Sequence, residues 1–390
     1  MELQYPKLGG FTLNVIFTCG GTGGHINPAI AVANVLRERY PDCQILFVGG
    51  EGGMECDLVR KAGYNLETLD PRSFMRGLTP AALWHNVRGA VLTAMALIKA
   101  RRLIRRFQPD VVLGTGGYAS FPILRAATAM GIPTCVHESN AVPGLTTRMV
   151  ADKASRILVS FAESKANYKH PERVEVVGMP VRQEFIYTKK EDARKKLGLD
   201  QRPVVVSVWG SLGAREMNKV TAELFRLELE EGLPWQHIHA TGSYGWQWMP
   251  QYVQDRGVDL TRCPGITMKK YIYDMPTVMA AADVVICRAG ASTLNEIAAS
   301  GTPCIVVPSP NVADNHQEKN ARILQDRGAA QVLLEKDCTP QRLFAEIQSL
   351  LGNPARCRAM RRALLDMAVV DSAQKICDTV LELGGRKRPG

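Results

Sequence analysis

The sequence predicts an α/β protein of two doubly wound parallel-sheet domains facing a central cleft, and three observations carry that expectation. Short β-branched runs alternate with helical patterns through the first half, and the second half repeats the scheme. Each half also opens with a strand, a glycine-rich loop and a helix. Strands buried on both faces read as continuous apolar runs, and the intervening helices cover those faces.

In the first half the strand runs are Leu13 to Thr18, Cys43 to Val48, Asp110 to Leu113, Thr134 to His137, Arg156 to Val159 and Val174 to Val177. Helical stretches such as Ala29 to Tyr40 separate most of them. In the second half they are Val204 to Val208, Gln236 to Ala240, Gly265 to Met268, Val284 to Cys287, Cys304 to Val307 and Ala330 to Leu334. A joint at Gly178-Met179-Pro180, ahead of the polar stretch Thr188 to Arg202, divides the chain into 1–179 and 180–390. From about Ala355 to Leu383 the pattern is helical, and its last part, about 365–383, is a candidate to pack back on the first domain. Gly384 to Gly390 reads as a frayed basic tail.

Size and composition agree with this division. A chain of 390 residues, 46% hydrophobic and 22% charged, suits two globular domains. No apolar run approaches the ~20 residues of a membrane-spanning helix. The N-terminus lacks a signal-peptide pattern, so the chain is expected in the cytosol. Ten cysteines show no C-x-x-C pair or zinc-like spacing and read as free thiols in a reducing compartment. The net charge of +10 suits nucleic acid, anionic lipid or a phosphate-bearing substrate. Its excess is concentrated: Pro71 to Arg106 holds no acid but contains Arg72, Arg76, Arg88, Lys99, Arg101, Arg102, Arg105 and Arg106. Leu83, Val87, Val91, Ala94 or Met95, and Ile98 recur there at helical spacing beside Trp84, the pattern of a helix lying on an anionic membrane. The plainer alternative is a core-facing helix with a charged end.

The chemistry sits in the loops. Gly20-Gly21-Thr22-Gly23-Gly24-His25 precedes Asn27 and Pro28, which read as an N-cap and a first helical residue. Gly210-Ser211-Leu212-Gly213-Ala214 is its counterpart. Neither dinucleotide nor Walker spacing is met, so a tight turn without ligand stays open for the first loop. A glycine loop aimed by a helix start nonetheless suits a diphosphate. Gly114-Thr115-Gly116-Gly117-Tyr118 and His137-Glu138-Ser139-Asn140 follow two further strands, and ligands of open α/β sheets bind beyond the strands' carboxyl ends. His25, otherwise a surface or capping residue, becomes a candidate general base there. Arg288-Ala289-Gly290-Ala291-Ser292-Thr293-Leu294-Asn295-Glu296 enters another helix with small residues where a diphosphate would approach, and places Glu296 to accept ribose hydroxyls. Asp314-Asn315-His316-Gln317 offers amides for sugar hydroxyls. The chain contains no D-x-D and no H-E-x-x-H, so no metal site and no cofactor are expected, and Arg182 is the candidate countercharge.

With these motifs in order, the chain resembles the MurG family of bacterial peptidoglycan synthesis over nearly its whole length. That resemblance implies the GT-B fold and a metal-free, inverting transfer of N-acetylglucosamine from UDP-N-acetylglucosamine to undecaprenyl-pyrophosphoryl-N-acetylmuramyl-pentapeptide (lipid I to lipid II). It implies a donor site of Thr22, Gly23, Gly24, Asn140, Arg182, Ser211, Ile272, Ala291, Ser292, Thr293, Leu294, Asn295, Glu296 and Gln317. The acceptor's pyrophosphate would rest on Gly20, Gly21, Gly116, Gly117 and Tyr118. His25 is then the first candidate base and Glu138 the second. Residues 72–106 would meet the cytoplasmic face of the inner membrane, with other cell-wall synthesis proteins as further partners. Ala119, Phe121 and Cys287 depart from the family's usual residues. The competing readings are a UDP-sugar 2-epimerase, a diacylglycerol glycolipid synthase and, last, a nucleic-acid scaffold. Trp84 stands alone among aliphatics in the basic segment, which argues against nucleic acid.

Overall fold

The computed structural model describes residues 13–70 and 80–385, with the backbone alone at 80–88 and 90. The leader Met1 to Gly10, Arg72 and Arg76, the side chains of Leu83, Trp84, Val87 and Arg88, and residues 386–390 lie outside the described residues. The chain divides into two compact units, Met1–Pro180 with Asp371–Gly390 (unit 1), and Val181–Val370 (unit 2).

Unit 1 holds β1 Asn14–Thr18, β2 Gln44–Gly50, β3 Asn65–Leu69, β4 Val111–Gly114, β5 Thr134–Glu138, β6 Arg156–Val159 and β7 Val174–Val176. Unit 2 holds β8 Val204–Val208, β9 Gln236–Ala240, β10 Ile266–Lys269, β11 Val284–Cys287, β12 Cys304–Val306 and β13 Gln331–Val332. The orders are β3-β2-β1-β4-β5-β6-β7 and β10-β9-β8-β11-β12-β13, and every pairing is parallel. Strand order therefore reverses at β1/β4 in one sheet and β8/β11 in the other, the positions where doubly wound sheets open a crevice for ligands. The two opening glycine loops leave β1 and β8, and the loops at Gly116 and Gly290 leave β4 and β11.

Alternation along β1 fills both faces of the first sheet. Val15 and Phe17 join a cluster with Ile26, Leu36, Phe47 and Leu113, while Ile16 joins Val48, Val112, Ile104 and Leu124 on the other side. The last helix, Ser372–Leu383, belongs to unit 1 and buries Ile376, Cys377, Val380 and Leu381 in the first of these clusters. Each aliphatic side chain so buried contributes about 1.5–3 kcal/mol. An ion pair between Arg39 and Asp378 at 2.6 Å fixes this helix to the helix Gly23–Arg39.

Four differences from the sequence expectations have physical causes. β3 (Asn-Leu-Glu-Thr-Leu) is an edge strand, half exposed, so no apolar run marks it. The first helix begins at Gly23 with Thr22 as N-cap, not at Pro28 with Asn27 as N-cap, because His25 and Ile26 already donate to the Thr22 carbonyl. Pro28 is accommodated inside it, where its missing N–H leaves the Gly24 carbonyl without a helical donor. Finally, the C-terminal helical stretch is two helices, Pro354–Met367 and Ser372–Leu383, and the boundary between units falls in the break.

All ten cysteines are free. No helix among the described residues is long and apolar enough to cross a membrane. Helix Pro80–Phe107 buries Ala96, Ala100, Leu103 and Ile104 against the sheet, while Val91, Met95 and Ile98 stand more than half exposed on it.

Candidate active site

In unit 1, three loops interlock at the carboxyl ends of β1, β4 and β5. Gly116 and Gly117 are required by geometry as well as by φ values of +109° and +86°. A Cβ on Gly117 would lie 2.1 Å from the Gly20 carbonyl oxygen, and one on Gly116 would lie 2.9 Å from the His25 ring. Thr115 Oγ1 donates to the His25 carbonyl at 2.6 Å, and Thr146 Oγ1 donates to Gly117 O at 3.3 Å, joining the β5 loop to the others. Gly20, Gly21, Thr22, Gly23, Gly24, His25, Gly116, Gly117, Tyr118, Glu138 and Asn140 thus share one rim.

The two candidate bases on that rim differ. His25 Nδ1 lies 3.1 Å from Gly20 O. A carbonyl can only accept, so Nδ1 carries the proton and, in the neutral ring, Nε2 is the accepting nitrogen. Glu138 is buried, and both of its oxygens are already occupied. Oε1 accepts from Asn140 N at 3.0 Å and Asn140 Nδ2 at 3.2 Å, and Oε2 from Gly144 N at 2.9 Å and Thr147 Oγ1 at 2.7 Å. Four donors make Glu138 the bracket that shapes its own loop. Neighbouring His137 is fully buried and spends Nε2–H on Gly178 O at 2.8 Å; burial holds its pKa below the ordinary value.

Unit 2 presents a different rim. Gly210 and Gly213 both have positive φ, and a Cβ on Gly213 would meet Thr241 O at 2.1 Å. Ser211 and Leu212 offer carbonyls to Ser243 N and Tyr244 N, and Ile272 is buried between exposed Tyr271 and Tyr273. Helix Ala291–Ser300 starts from Gly290 with no side-chain cap, so its first N–H groups are open. A Cβ on Gly290 would meet nothing within 4 Å. Ala291 and Leu294 point into the core, Asn295 Nδ2 bonds back to Ala291 O at 2.9 Å, and Ser292, Thr293 and Glu296 are partly exposed. Glu296 makes no hydrogen bond or ion pair among the described residues. Burial pushes its carboxyl up to about 7, against the pull of the Arg182 guanidinium. Gln317 Oε1 accepts from Ser309 N at 2.9 Å, which orients the amide. Arg288 is committed elsewhere, donating to Val307 O and Pro308 O and pairing with Glu335.

Sequence reasoning missed two sets of supporting residues. A buried polar chain runs under the second glycine loop. Trp235 and His237 both donate to Glu228 Oε1 at 2.8 and 2.7 Å, and Ser207 Oγ lies 2.7 Å from each of His237 and His239. Asn218 joins His239 to the Thr241 carbonyl against which Gly213 packs. Burial lowers the His239 pKa to about 3, so the chain is neutral there. In sequence these residues read as strand and helix interior. The other is Glu55, fully buried beside the first glycine loop; its only signal was the glycine cluster Gly49, Gly50, Gly52 and Gly53 around it.

The glycosyltransferase family 28 N-terminal domain matches residues 15–159, and the family's C-terminal domain matches residues 204–376. A relative from Caldanaerobacter subterraneus is 40% identical, covering 94% of this chain and 99% of its own. Another, from Acetivibrio thermocellus, is 37% identical over 97% and 100%. Both are named UDP-N-acetylglucosamine–N-acetylmuramyl-(pentapeptide) pyrophosphoryl-undecaprenol N-acetylglucosamine transferase. Among solved structures, Acinetobacter baumannii MurG superposes with a TM-score of 0.73 at 26% identity, covering 95% of this chain and 99% of that one. A UDP-N-acetylglucosamine 2-epimerase also superposes, with a TM-score of 0.69 at 14% identity over 97% and 98%, which is a likeness of fold alone.

Proposed function

The chain belongs to glycosyltransferase family 28, with the MurG-type N-acetylglucosaminyltransferases, and from that premise we propose how its two rims divide the reaction. The reaction is transfer of N-acetylglucosamine from UDP-N-acetylglucosamine to the N-acetylmuramyl sugar of a pyrophosphoryl-undecaprenol acceptor. Unit 2 takes the donor. The open N–H groups of Ala291, Ser292 and Thr293, at the positive end of a helix, receive the diphosphate and stabilise the charge that grows on it as the sugar leaves. Arg182 adds positive charge. Glu296 accepts the ribose hydroxyls, the backbone at Ile272 meets uracil, and Ser211 and Gln317 hold the remaining donor groups.

Unit 1 takes the acceptor and the proton. The glycine loops at Gly20–Gly21 and Gly116–Tyr118 bring backbone amides to the acceptor's pyrophosphate. The acceptor's C4 oxygen attacks C1 of the sugar from the face opposite the diphosphate, forming the β-glycosidic bond as the C1–O bond to UDP breaks. Its proton passes to His25 Nε2. The four donors on Glu138 favour His25 over Glu138 in this role. An exposed stripe of Val91, Met95 and Ile98, with Arg101, Arg102 and Arg105 beyond it, suits the anionic leaflet that holds the acceptor's lipid.

One observation supports the donor assignment most strongly. The Gly290 helix start is open to a ligand, and within two turns of it stands a carboxyl that burial disfavours and no donor among the described residues compensates. The test is incubation with labelled UDP-N-acetylglucosamine in detergent, with and without lipid I. Label entering the lipid fraction only when lipid I is present is the expected result. Conversion of the sugar nucleotide without acceptor would instead indicate an epimerase.

A further inference from the structure

We propose that Glu55 is a positioning residue for His25, acting through the single peptide group that joins Gly20 to Gly21. This inference rests on the reading of His25 as the base. The Gly20 carbonyl is the acceptor for His25 Nδ1 at 3.1 Å. The N–H of the same peptide group, on Gly21, points at Glu55 Oε2 at 3.4 Å, a long bond to a charged acceptor. Carboxylate, peptide and imidazole are therefore in series. A carboxylate pulling on the N–H polarises the carbonyl toward the ring, and hydrogen bonds in series strengthen one another. Its logic is that of a carboxylate orienting a catalytic histidine, with a peptide group inserted between them.

The surroundings hold Glu55 in that place. Its side chain is 1% exposed, and Oε1 accepts from Gly50 N at 2.7 Å. A Cβ added to Gly20, Gly49 or Gly53 would lie 2.7, 2.5 or 2.4 Å from Glu55 atoms, so glycines wall the carboxylate on three sides. Gly117, packed against the Gly20 carbonyl, closes the other end of the peptide. A buried carboxylate is expensive unless its oxygens are used. Here Oε1 is used on the Gly50 N–H at the end of β2 and Oε2 on the Gly21 N–H of the glycine loop, which ties the strand end to the loop.

The experiment is a double-mutant cycle in the full chain, with Glu55→Gln and Glu55→Ala each made in the parent and in His25→Ala. Turnover, KM for UDP-N-acetylglucosamine and Tm are measured for every variant. In the parent, Glu55→Gln is expected to cut kcat about tenfold or more, with donor KM within about twofold, because the donor is assigned to the other unit. In His25→Ala the same change is expected to alter kcat less than about twofold, since residues acting as one unit are non-additive. An equal fold-loss in both backgrounds, or parental kcat in Glu55→Gln, overturns the proposal. Glu55→Gln conserves volume, so it keeps the test decisive if Glu55→Ala fails to fold. Parental turnover in His25→Ala alone would remove the base assignment and the relay with it, an outcome distinct from additive losses.

Discussion

The two rims are built on the same plan, strand, glycine loop and helix, yet they spend their polar groups differently. In unit 1 nearly every group is committed within the protein: Glu138 to four donors, His25 Nδ1 to Gly20, Thr115 to His25, and Glu55 to the Gly21 and Gly50 N–H groups. Gly117 is there because the Gly20 carbonyl occupies the space a Cβ would take, and Gly116 because the His25 ring does. In unit 2 the helix start at Gly290 is open, and Glu296, partly exposed, makes no hydrogen bond among the described residues. A committed rim holds a base in one orientation; an open rim leaves its unmet hydrogen bonds for a ligand to complete. On the proposed reading the contrast separates catalysis from binding along the chain, and substitutions can break it.

The largest effect expected is at His25. His25→Ala should lower kcat by about 10²–10⁴-fold, the usual worth of a positioned general base. UDP affinity, measured by calorimetry, should stay within about twofold, because the proposed reading assigns the donor to unit 2. Turnover like the parent's would contradict the division of labour.

Next come two glycines that test crowding against openness. Gly117→Ala forces a methyl group into the Gly20 carbonyl at a φ of +86° and should destabilise the chain by about 2–4 kcal/mol in denaturant unfolding. Gly290→Ala, at a φ of −67° and in open space, should leave stability within about 1 kcal/mol of the parent. It should nonetheless weaken UDP binding about tenfold, since its methyl occupies the approach of the diphosphate. Equal stability losses at the two positions would erase the contrast.

Glu296 gives the comparison a pH dependence. Its carboxyl titrates at about 7 in the folded chain against an ordinary value of 4.5. A carboxyl with a raised folded pKa adds its stability in full below the unfolded value, and that contribution is lost as pH rises through the folded one. The shift corresponds to about 3 kcal/mol at 1.36 kcal/mol per unit. Glu296→Gln should therefore raise Tm at pH 8.5, with the advantage fading toward pH 4.5, while weakening UDP binding at every pH. A variant less stable than the parent at pH 8.5 would show that the carboxylate is satisfied and the rim is not open.

The smallest effect belongs to the outer face of unit 1. Arg101→Ala and Arg102→Ala, at exposed positions, should each cost about 1 kcal/mol of binding to vesicles containing anionic lipid. Sedimentation should also fall with salt, as screening requires. Binding insensitive to both would leave the apolar stripe of Val91, Met95 and Ile98 as the sole contact.

Much of this was legible in the sequence because it is written locally. Buried parallel strands announce themselves as β-branched runs, and the boundaries of β6, β8, β9 and β11 coincide with those runs. The loops at Gly20, Gly116, Gly210 and Gly290 were legible because glycine spacing reports backbone geometry. What escaped depends on partners distant in sequence. β3 is an edge strand whose half-exposed face breaks the apolar signal. Helix Gly23–Arg39 starts early because the Thr22 carbonyl already accepts from the His25 and Ile26 N–H groups, ahead of the Asn27-Pro28 pair that reads as the helix start. Glu138 looked like a base because the donors from Gly144 and Thr147 lie beyond its motif. Glu55 escaped notice because its target, the Gly21 N–H, is 34 residues away.

The central claim is that the donor's diphosphate belongs to the open rim, and a structure of the protein with UDP bound tests it most directly. We expect phosphate oxygens within hydrogen-bonding distance of the Ser292 and Thr293 amides, with the ribose hydroxyls on Glu296. A diphosphate seated on the Gly20–Gly24 loop, with the Gly290 helix start untouched, would contradict the account.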